Sequence, residues 1–209
     1  MKTKILIILL SLFLLSINNE SLTGRRRSKK VNLKATQKWL NKLKKDGRTV
    51  MYIEDFSIES LKKADRLYIA GSFFVSEPPK INFVYLKALK NLKELEIVGF
   101  SIRDRDLIHL TALKKLEILN IGGTVSSITK PYKKKFYNLK ITNRGLAYIK
   151  RLKNLATLDI SYALNVSNAG LVHLKALKKL KELNLKGTKV TDKGIKKLNK
   201  ALPKCNVSN

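Results

Sequence analysis

"GTKVTDKGI" (residues 187–195) follows a leucine-alternating stretch, LKELNLK (180–186), and leads into KKLNKALPKC (196–205). The same phrase stands upstream as ITNRGL (141–146) and VSNAGL (166–171), and in weaker form as IRDRDL (102–107). A phrase restated at a steady interval is the mark of a repeat architecture. Units aligned on it begin at Leu92, Leu116, Leu155 and Leu180, at intervals of 24, 39 and 25 residues. The long interval is one ordinary repeat plus about 15 inserted residues, at about 125–140. A degenerate earlier unit is visible in ADRLYIAG (64–71), with Leu67 and Ile69 where Leu95 and Ile97 stand later.

Each unit opens L-x-x-L-x-L/I, and the alternation at its end, as in Leu95-Glu96-Ile97, is the period of a short strand with one buried face. Asp104, Asn143, Asn168 and Asp192 then precede apolar residues at helical spacing. Such residues are strong N-caps, so the phrase reads as a helix start. The helices should bury Leu107, Leu110 and Leu113 in one unit, and Leu171, Leu174 and Leu177 in another. One strand–helix unit cannot bury its own apolar edge, so the units must stack. The expected fold is an α/β solenoid, a short arc of about five units with a parallel concave sheet and a helical convex side. Residues 64–209 form the repeats. Residues 35–63 should form an N-terminal cap, with an amphipathic helix carrying Trp39, Leu40 and Leu43 and a strand at TVMYI (49–53). Pro203 should stop the last helix.

Lys and Arg number 44 against 15 Asp and Glu, a formal charge of +29. Of the 44, 35 are Lys. Lys is a point charge, whereas Arg is the bidentate reader of phosphate and guanine, which argues against specific nucleic-acid readout. Diffuse attraction to an anionic surface and a Lys-rich host composition both account for the excess. The first 22 residues read as a signal peptide, with Lys2 and Lys4 before an apolar run over residues 5–17 and a polar exit. A basic linker follows at 23–34, containing RRRSKK (25–30). The expectation is a secreted or periplasmic protein. The alternative is an anchor at residues 5–17 held in place by the basic cluster. Cys205 is the only cysteine, so no intrachain disulfide forms.

The L-x-x-L-x-L/I openings with [IV]-T-[DN]-x-G-[LI] phrases resemble the leucine-rich repeat superfamily, in its ribonuclease-inhibitor-like subtype, from about residue 64 onward. LDISYALNVSNAGL (158–171) is similar to the cysteine-containing subtype, with Ala163 where that subtype carries Cys. The secretion-like leader joined to LNLKGTKVTDKGIKKLNKALPKC (183–205) looks most like small exported repeat proteins of planctomycete-type bacteria. The resemblance implies a binding scaffold without intrinsic catalysis, acting as a monomer on a protein partner. A looser likeness to mitochondrial repeat proteins of the ATP synthase subunit s type would imply a structural subunit of a membrane complex.

In such a fold the concave surface presents Arg66, Tyr68 and Ala70; Glu94, Glu96 and Val98; Ile118, Asn120 and Gly122; Thr157, Asp159 and Ser161; and Glu182, Asn184 and Lys186. Four of the 15 acids fall in this small set. Glu94, Glu96, Asn120, Asp159, Glu182 and Asn184 are the candidates for binding a basic or polar partner segment. The insertion adds a second candidate, with Tyr132, Lys133, Lys134, Lys135, Phe136 and Tyr137 interleaving rings and charges that suit bases or a lipid interface. Both candidates have a plainer reading, as solvated strand positions and as a tolerated loop. Lys114, Lys115, Lys178, Lys179, Lys196 and Lys197 would join the loop in any adhesion to lipid headgroups, acidic polysaccharide or nucleic acid. In a second elongated connection (71–85), Phe73, Phe74, Phe83 and Tyr85 should pack rather than bind. His109 and His173 occupy matching places, taken by Tyr148 and Lys197 in the other units, so they read as solvated helix residues and not as a metal pair. No cofactor, metal ligand set or catalytic grouping is expected.

Overall fold

The computed structural model describes residues 6–10, 32–45, 49–52, 58–71, 82–123 and 139–209. Its strands in chain order are β1 (Leu6–Leu10), β2 (Thr49–Tyr52), β3 (Arg66–Gly71), β4 (Glu94–Val98), β5 (Ile118–Asn120), β6 (Thr157–Asp159), β7 (Glu182–Asn184) and β8 (Asn206–Ser208). They form one open sheet in the order β2-β1-β3-β4-β5-β6-β7-β8. From β3 to β8 all pairs are parallel and in sequence order. β1 joins β3 in parallel, and β2 pairs antiparallel with β1 at the outer edge.

Register follows from the leucines. Leu67, Leu95, Leu119, Leu158, Leu183 and Val207 lie side by side across the sheet. The first five are at most 2% exposed. A one-residue slip would turn this whole row to solvent, so the alternation admits one pairing only. The degenerate unit aligns as expected, with Leu67 opposite Leu95 and Ile69 opposite Ile97. β8 adds a final strand where the sequence reading had only the end of a helix.

The convex layer is built from short pieces. Its helices are α1 (Leu33–Lys45), α2 (Ile58–Lys63), α3 (Asp104–Leu107), α4 (Asn143–Ile149), α5 (Leu171–Leu174) and α6 (Asp192–Asn199), with 3-10 turns at Phe83–Ala88 and Ile108–Ala112. Helices of one or two turns do not hold in water on their own. Here each is fixed by the leucines it buries. Leu107, Leu110 and Leu113 in one coil, and Leu171, Leu174 and Leu177 in another, are at most 3% exposed. Each fully buried leucine is worth about 1.5–3 kcal/mol relative to exposure, which outweighs the propensity terms.

α1 begins inside the stretch read as basic linker, and the side chains of Trp39, Leu40 and Leu43 lie outside those described. Asn32 starts the helix, its Oδ1 accepting from the Ala35 N–H at 3.0 Å. The buried Thr36 hydroxyl donates to the Tyr85 carbonyl at 2.9 Å, tying the cap to the 3-10 turn of the first coil. In the connection before that coil, Phe83 packs inward at 1% exposure, as expected, while Phe73 and Phe74 lie outside the described residues.

Candidate functional site

The repeated phrase is a clamp between coils. Asp104, Asn143 and Asp192 are first helical residues and not N-caps, and Asn168 stands ahead of α5 altogether. Capping of α4 falls to the preceding residue, Thr142, whose Oγ1 accepts from the Arg144 N–H at 3.2 Å. The expectation of four N-caps is thus corrected, because the Asp and Asn side chains reach sideways instead. Asp104 accepts from the Thr142 N–H at 2.8 Å and from the Thr142 hydroxyl at 2.6 Å. Asn143 accepts from the Ser167 N–H at 2.9 Å and donates to Ser167 Oγ at 3.0 Å. Asn168 repeats this on Thr191, at 3.0 and 2.9 Å.

The glycine of the phrase makes room for that clamp. A Cβ at Gly145 would collide with Asp104 Oδ1, one at Gly170 would lie 2.6 Å from Asn143 Oδ1, and one at Gly194 would collide with Asn168 Oδ1. In the first unit Asp106 replaces the glycine and Arg103 the threonine. There the Arg103 N–H is bound at 2.9 Å by Asp106 of its own coil, so no room for a neighbour's side chain is needed. These residues are occupied by stacking.

The concave face is organised in columns. Its central column is Tyr68, Glu96, Asn120, Asp159, Asn184 and Ser208, aligned strand by strand. Asn120 Nδ2 donates to Glu96 Oε1 at 3.1 Å, and Asn184 Nδ2 donates to Asp159 Oδ2 at 2.8 Å. Asn120, Asp159 and Asn184 each also accept from the backbone N–H two residues on, turning the chain at the strand end. In the neighbouring column Glu94 pairs with Arg66 at 3.2 Å, and Glu182 accepts from Asn206 at 3.2 Å. The six concave candidates are therefore brought onto one surface.

Val98, Gly122 and Ser161 of the third outward column are closed, contrary to expectation, while Lys186 is exposed. Val98 is 1% and Ser161 5% exposed, and Gly122 is buried, its absent Cβ replaced by the Asp159 and Ser161 side chains. The turn at the end of each strand covers these positions. Ala70 lies outside the residues whose side chains are described.

Electrostatically the face is strained toward negative charge. Burial, then the neighbouring Glu94 and Asp159 carboxylates, raises the Glu96 carboxyl above the usual range. Burial and Glu96 likewise raise the Tyr68 phenol. At the rim, Tyr162 takes φ +61°, at a place where Gly99 and Gly187 take +76° and +71°. A left-handed backbone at a non-glycine residue costs on the order of 1–3 kcal/mol. Its ring lies between two coils, so that a Cβ at Gly123 or Gly187 would come within 3.0 or 2.8 Å of Tyr162 atoms. Sequence reasoning missed this residue. The signal was there as a tyrosine in a column of glycines.

Among solved structures, an internalin of Listeria monocytogenes aligns with 73% of this chain and 36% of its own, at 20% identity and a TM-score of 0.52. The fold is a leucine-rich repeat solenoid. A leucine-rich repeat protein of Leptospira interrogans aligns at 22% identity over 73% of this chain and 33% of its own, with a TM-score of 0.44. The chain thus spans about a third of the length of these proteins. Comparison of the sequence with family models and with curated proteins gives no match.

Elsewhere in the leucine-rich repeat solenoid, His109 departs from the solvated residue expected. It is half-buried, its Nδ1 is buried without a hydrogen-bond partner, and burial lowers its pKa below 6.5, with Lys87 adding to the shift and Asp106 opposing it. It stands neutral against its neighbours. Among the described residues no group of three His, Cys, Asp or Glu is placed to hold a metal. Burial, with Glu182 nearby, pushes the Cys205 thiol up to about 11, which leaves it protonated and unreactive. The loop candidates Tyr132, Lys133, Lys134, Lys135, Phe136 and Tyr137 lie outside the described residues.

Proposed function

We propose that this protein is a non-enzymatic interaction scaffold whose concave face receives an extended, basic segment of a partner protein. The observation that carries the reading is the column Glu96, Asn120, Asp159 and Asn184, pre-ordered by its own hydrogen bonds and flanked by Glu94 and Glu182. A partner's Lys or Arg would offset the burial, and with it the repulsion from Glu94 and Asp159, that holds the Glu96 carboxyl high. Tyr162 offers an apolar anchor beside the column, and aromatic anchors dominate most interfaces. A standard interface would take about 800 Å² on this side.

The test replaces Glu94, Glu96, Asp159 and Glu182 together by their amides, which keeps size and, except for the Asp159 Oδ2 acceptor used by Asn184, the hydrogen-bond acceptors. Capture of a partner isolated with the unaltered protein should weaken by about tenfold or more. Undiminished capture would remove the concave face from consideration.

Export belongs to the same proposal. It is supported by the charged start and apolar run of the leader, and by the likeness of the phrase to ribonuclease-inhibitor-like repeats in small exported bacterial proteins of planctomycete type. Among the described residues no helix is long and apolar enough to cross a membrane. Cleavage would take β1 with the leader and leave β3 as the edge of the sheet. Intact mass of the natively expressed protein decides this: loss of about 20 N-terminal residues supports export. A full-length mass in the membrane fraction supports the anchor instead.

A further inference from the structure

We propose that the edge where the chain enters each strand is a docking rail for an extended acidic polysaccharide, gripped by one lysine per coil. This edge adjoins the concave face at Glu182, but its lysines are not among the concave candidates, and its failure would leave the reading above untouched.

The rail is defined by a chain of backbone hydrogen bonds. The N–H groups of Lys93, Glu117, Ala156, Lys181 and Asn206 donate in turn to the carbonyls of Asp65, Lys93, Glu117, Ala156 and Lys181, at 2.7–2.8 Å. These bonds set equivalent residues of successive coils side by side. Three positions before each acceptor stand Lys62, Lys90, Lys114, Lys153 and Lys178, one in each of five consecutive coils and all exposed. Lys114 and Lys153 are 39 residues apart in sequence, yet they are neighbours in this column because the insertion leaves the coil stacking unchanged. Adjacent strands are about 4.8 Å apart, so the column of backbone positions runs for about 19 Å with one lysine per coil.

These ammonium groups are free to act. Among the described residues no carboxylate lies within ion-pairing distance of the five, whereas the adjacent Lys63 is paired with Glu59 at 2.8 Å. Lys153 and Lys178 rest on the carbonyls of Ala176 and Ala201 at 3.4 and 3.3 Å, contacts that orient a charge without neutralising it. The next column supports the rail. Asn91 and Asn154 donate to the carbonyls of Lys62 and Lys114, each at 2.7–2.8 Å, and accept from Lys115 and Lys179 at 2.8 Å. At the C-terminal end a shallow groove opens, lined by Lys178, Lys179, Lys181 and Lys204 together with Glu117 and Glu182. The two carboxylates would keep an anionic chain off the strand side and on the lysines.

The chemistry selects the polymer. An unbranched chain with one carboxylate per sugar is a linear array of anions, complementary in charge to a line of exposed lysines. Single-stranded nucleic acid is gripped best where aromatic platforms or Arg forks stand among the charges, and neither stands in this column. Insertion at a lipid interface takes apolar side chains beside the charges, and the exposed Ile108, Leu164 and Val172 belong to other parts of the coils.

The experiment titrates full-length protein with size-fractionated polygalacturonate at about 50 mM and about 200 mM salt. Three proteins are compared: unaltered, a rail variant (K90Q, K114Q, K153Q, K178Q) and a variant with the same charge loss around α6 (K175Q, K189Q, K193Q, K200Q), at exposed lysines outside the rail. Binding should strengthen with chain length up to about four or five sugars and then level off. The rail variant should lose about tenfold or more, and the α6 variant less than about threefold. Equal losses in the two variants, or binding indifferent to chain length, would overturn the rail in favour of diffuse charge. Rail-dependent binding of single-stranded DNA or of phosphatidylserine vesicles, tighter than that of polygalacturonate, would overturn the choice of polymer.

Discussion

The two edges of the solenoid use polar residues in opposite ways. At the helix-start edge Asp104, Asn143 and Asn168 spend their side chains on the next coil, each making two bonds of 2.6–3.0 Å to a Thr or Ser. At the helix-end edge Lys62, Lys90, Lys114, Lys153 and Lys178 stand in the same strict repetition, but their charges meet solvent. Periodicity alone therefore does not separate structure from recognition. What separates them is whether a side chain's bonding capacity is used up within the fold.

That contrast can be broken in several places. The largest effect is expected at the clamp glycines. Gly170→Ala should cost about 1–3 kcal/mol, since the new Cβ is forced against Asn143 Oδ1 and the Leu146 side chain. Chemical denaturation checks this, and pairing it with Asn143→Gly should recover part of the loss. Full additivity of the two changes would mean that the glycine serves another purpose.

Next in size, Asn143→Ala should destabilise by about 1–3 kcal/mol by orphaning the part-buried Ser167 N–H. Asp192→Ala at the last phrase should fall within about 0.5 kcal/mol, because no clamp bond from Asp192 to a further coil is present among the described residues. A loss at Asp192 equal to that at Asn143 would show that the clamp residues act through their own helices.

Two smaller effects depend on pH. His109 is held neutral, so its folded pKa lies below the unfolded value, and stability should fall as pH drops through about 6.5 toward that lower value. His109→Tyr, the residue of the matching position in α4, should flatten this slope in thermal melts. Glu96 has the opposite sign. Its folded pKa is raised, so the fold favours the protonated form and loses stability as pH rises above about 4.5. Glu96→Gln should therefore stabilise the protein at neutral pH and leave it unchanged in strong acid.

The smallest stability effect is expected on the rail. The four Lys→Gln changes should move stability by no more than about 0.5 kcal/mol each while altering polyanion binding. A large destabilisation would make the lysines stacking residues like the clamp, and the contrast between the edges would collapse.

How far the sequence could be read depended on whether a residue's role lies along the chain or across coils. Leu67, Leu95, Leu119, Leu158 and Leu183 alternate with polar residues, and that local period already states which face is buried. Asn143 and Asn168 precede apolar helical residues, which is also what an N-cap does, so the local pattern suggested the wrong partner. Their true partners are 23 or 24 residues away. The closure of Val98 and Ser161, the half-buried His109 and the ring of Tyr162 between two glycines likewise depend on neighbours that no local window contains.

By itself, then, the sequence determined the repeat, the strand and helix faces, the buried leucines and the polar concave column, because each follows from spacing within one coil. Only the tertiary structure decided which polar groups are consumed by stacking and which remain available. That distinction rests on hydrogen bonds and free space between coils, and these exist only once one coil lies against the next.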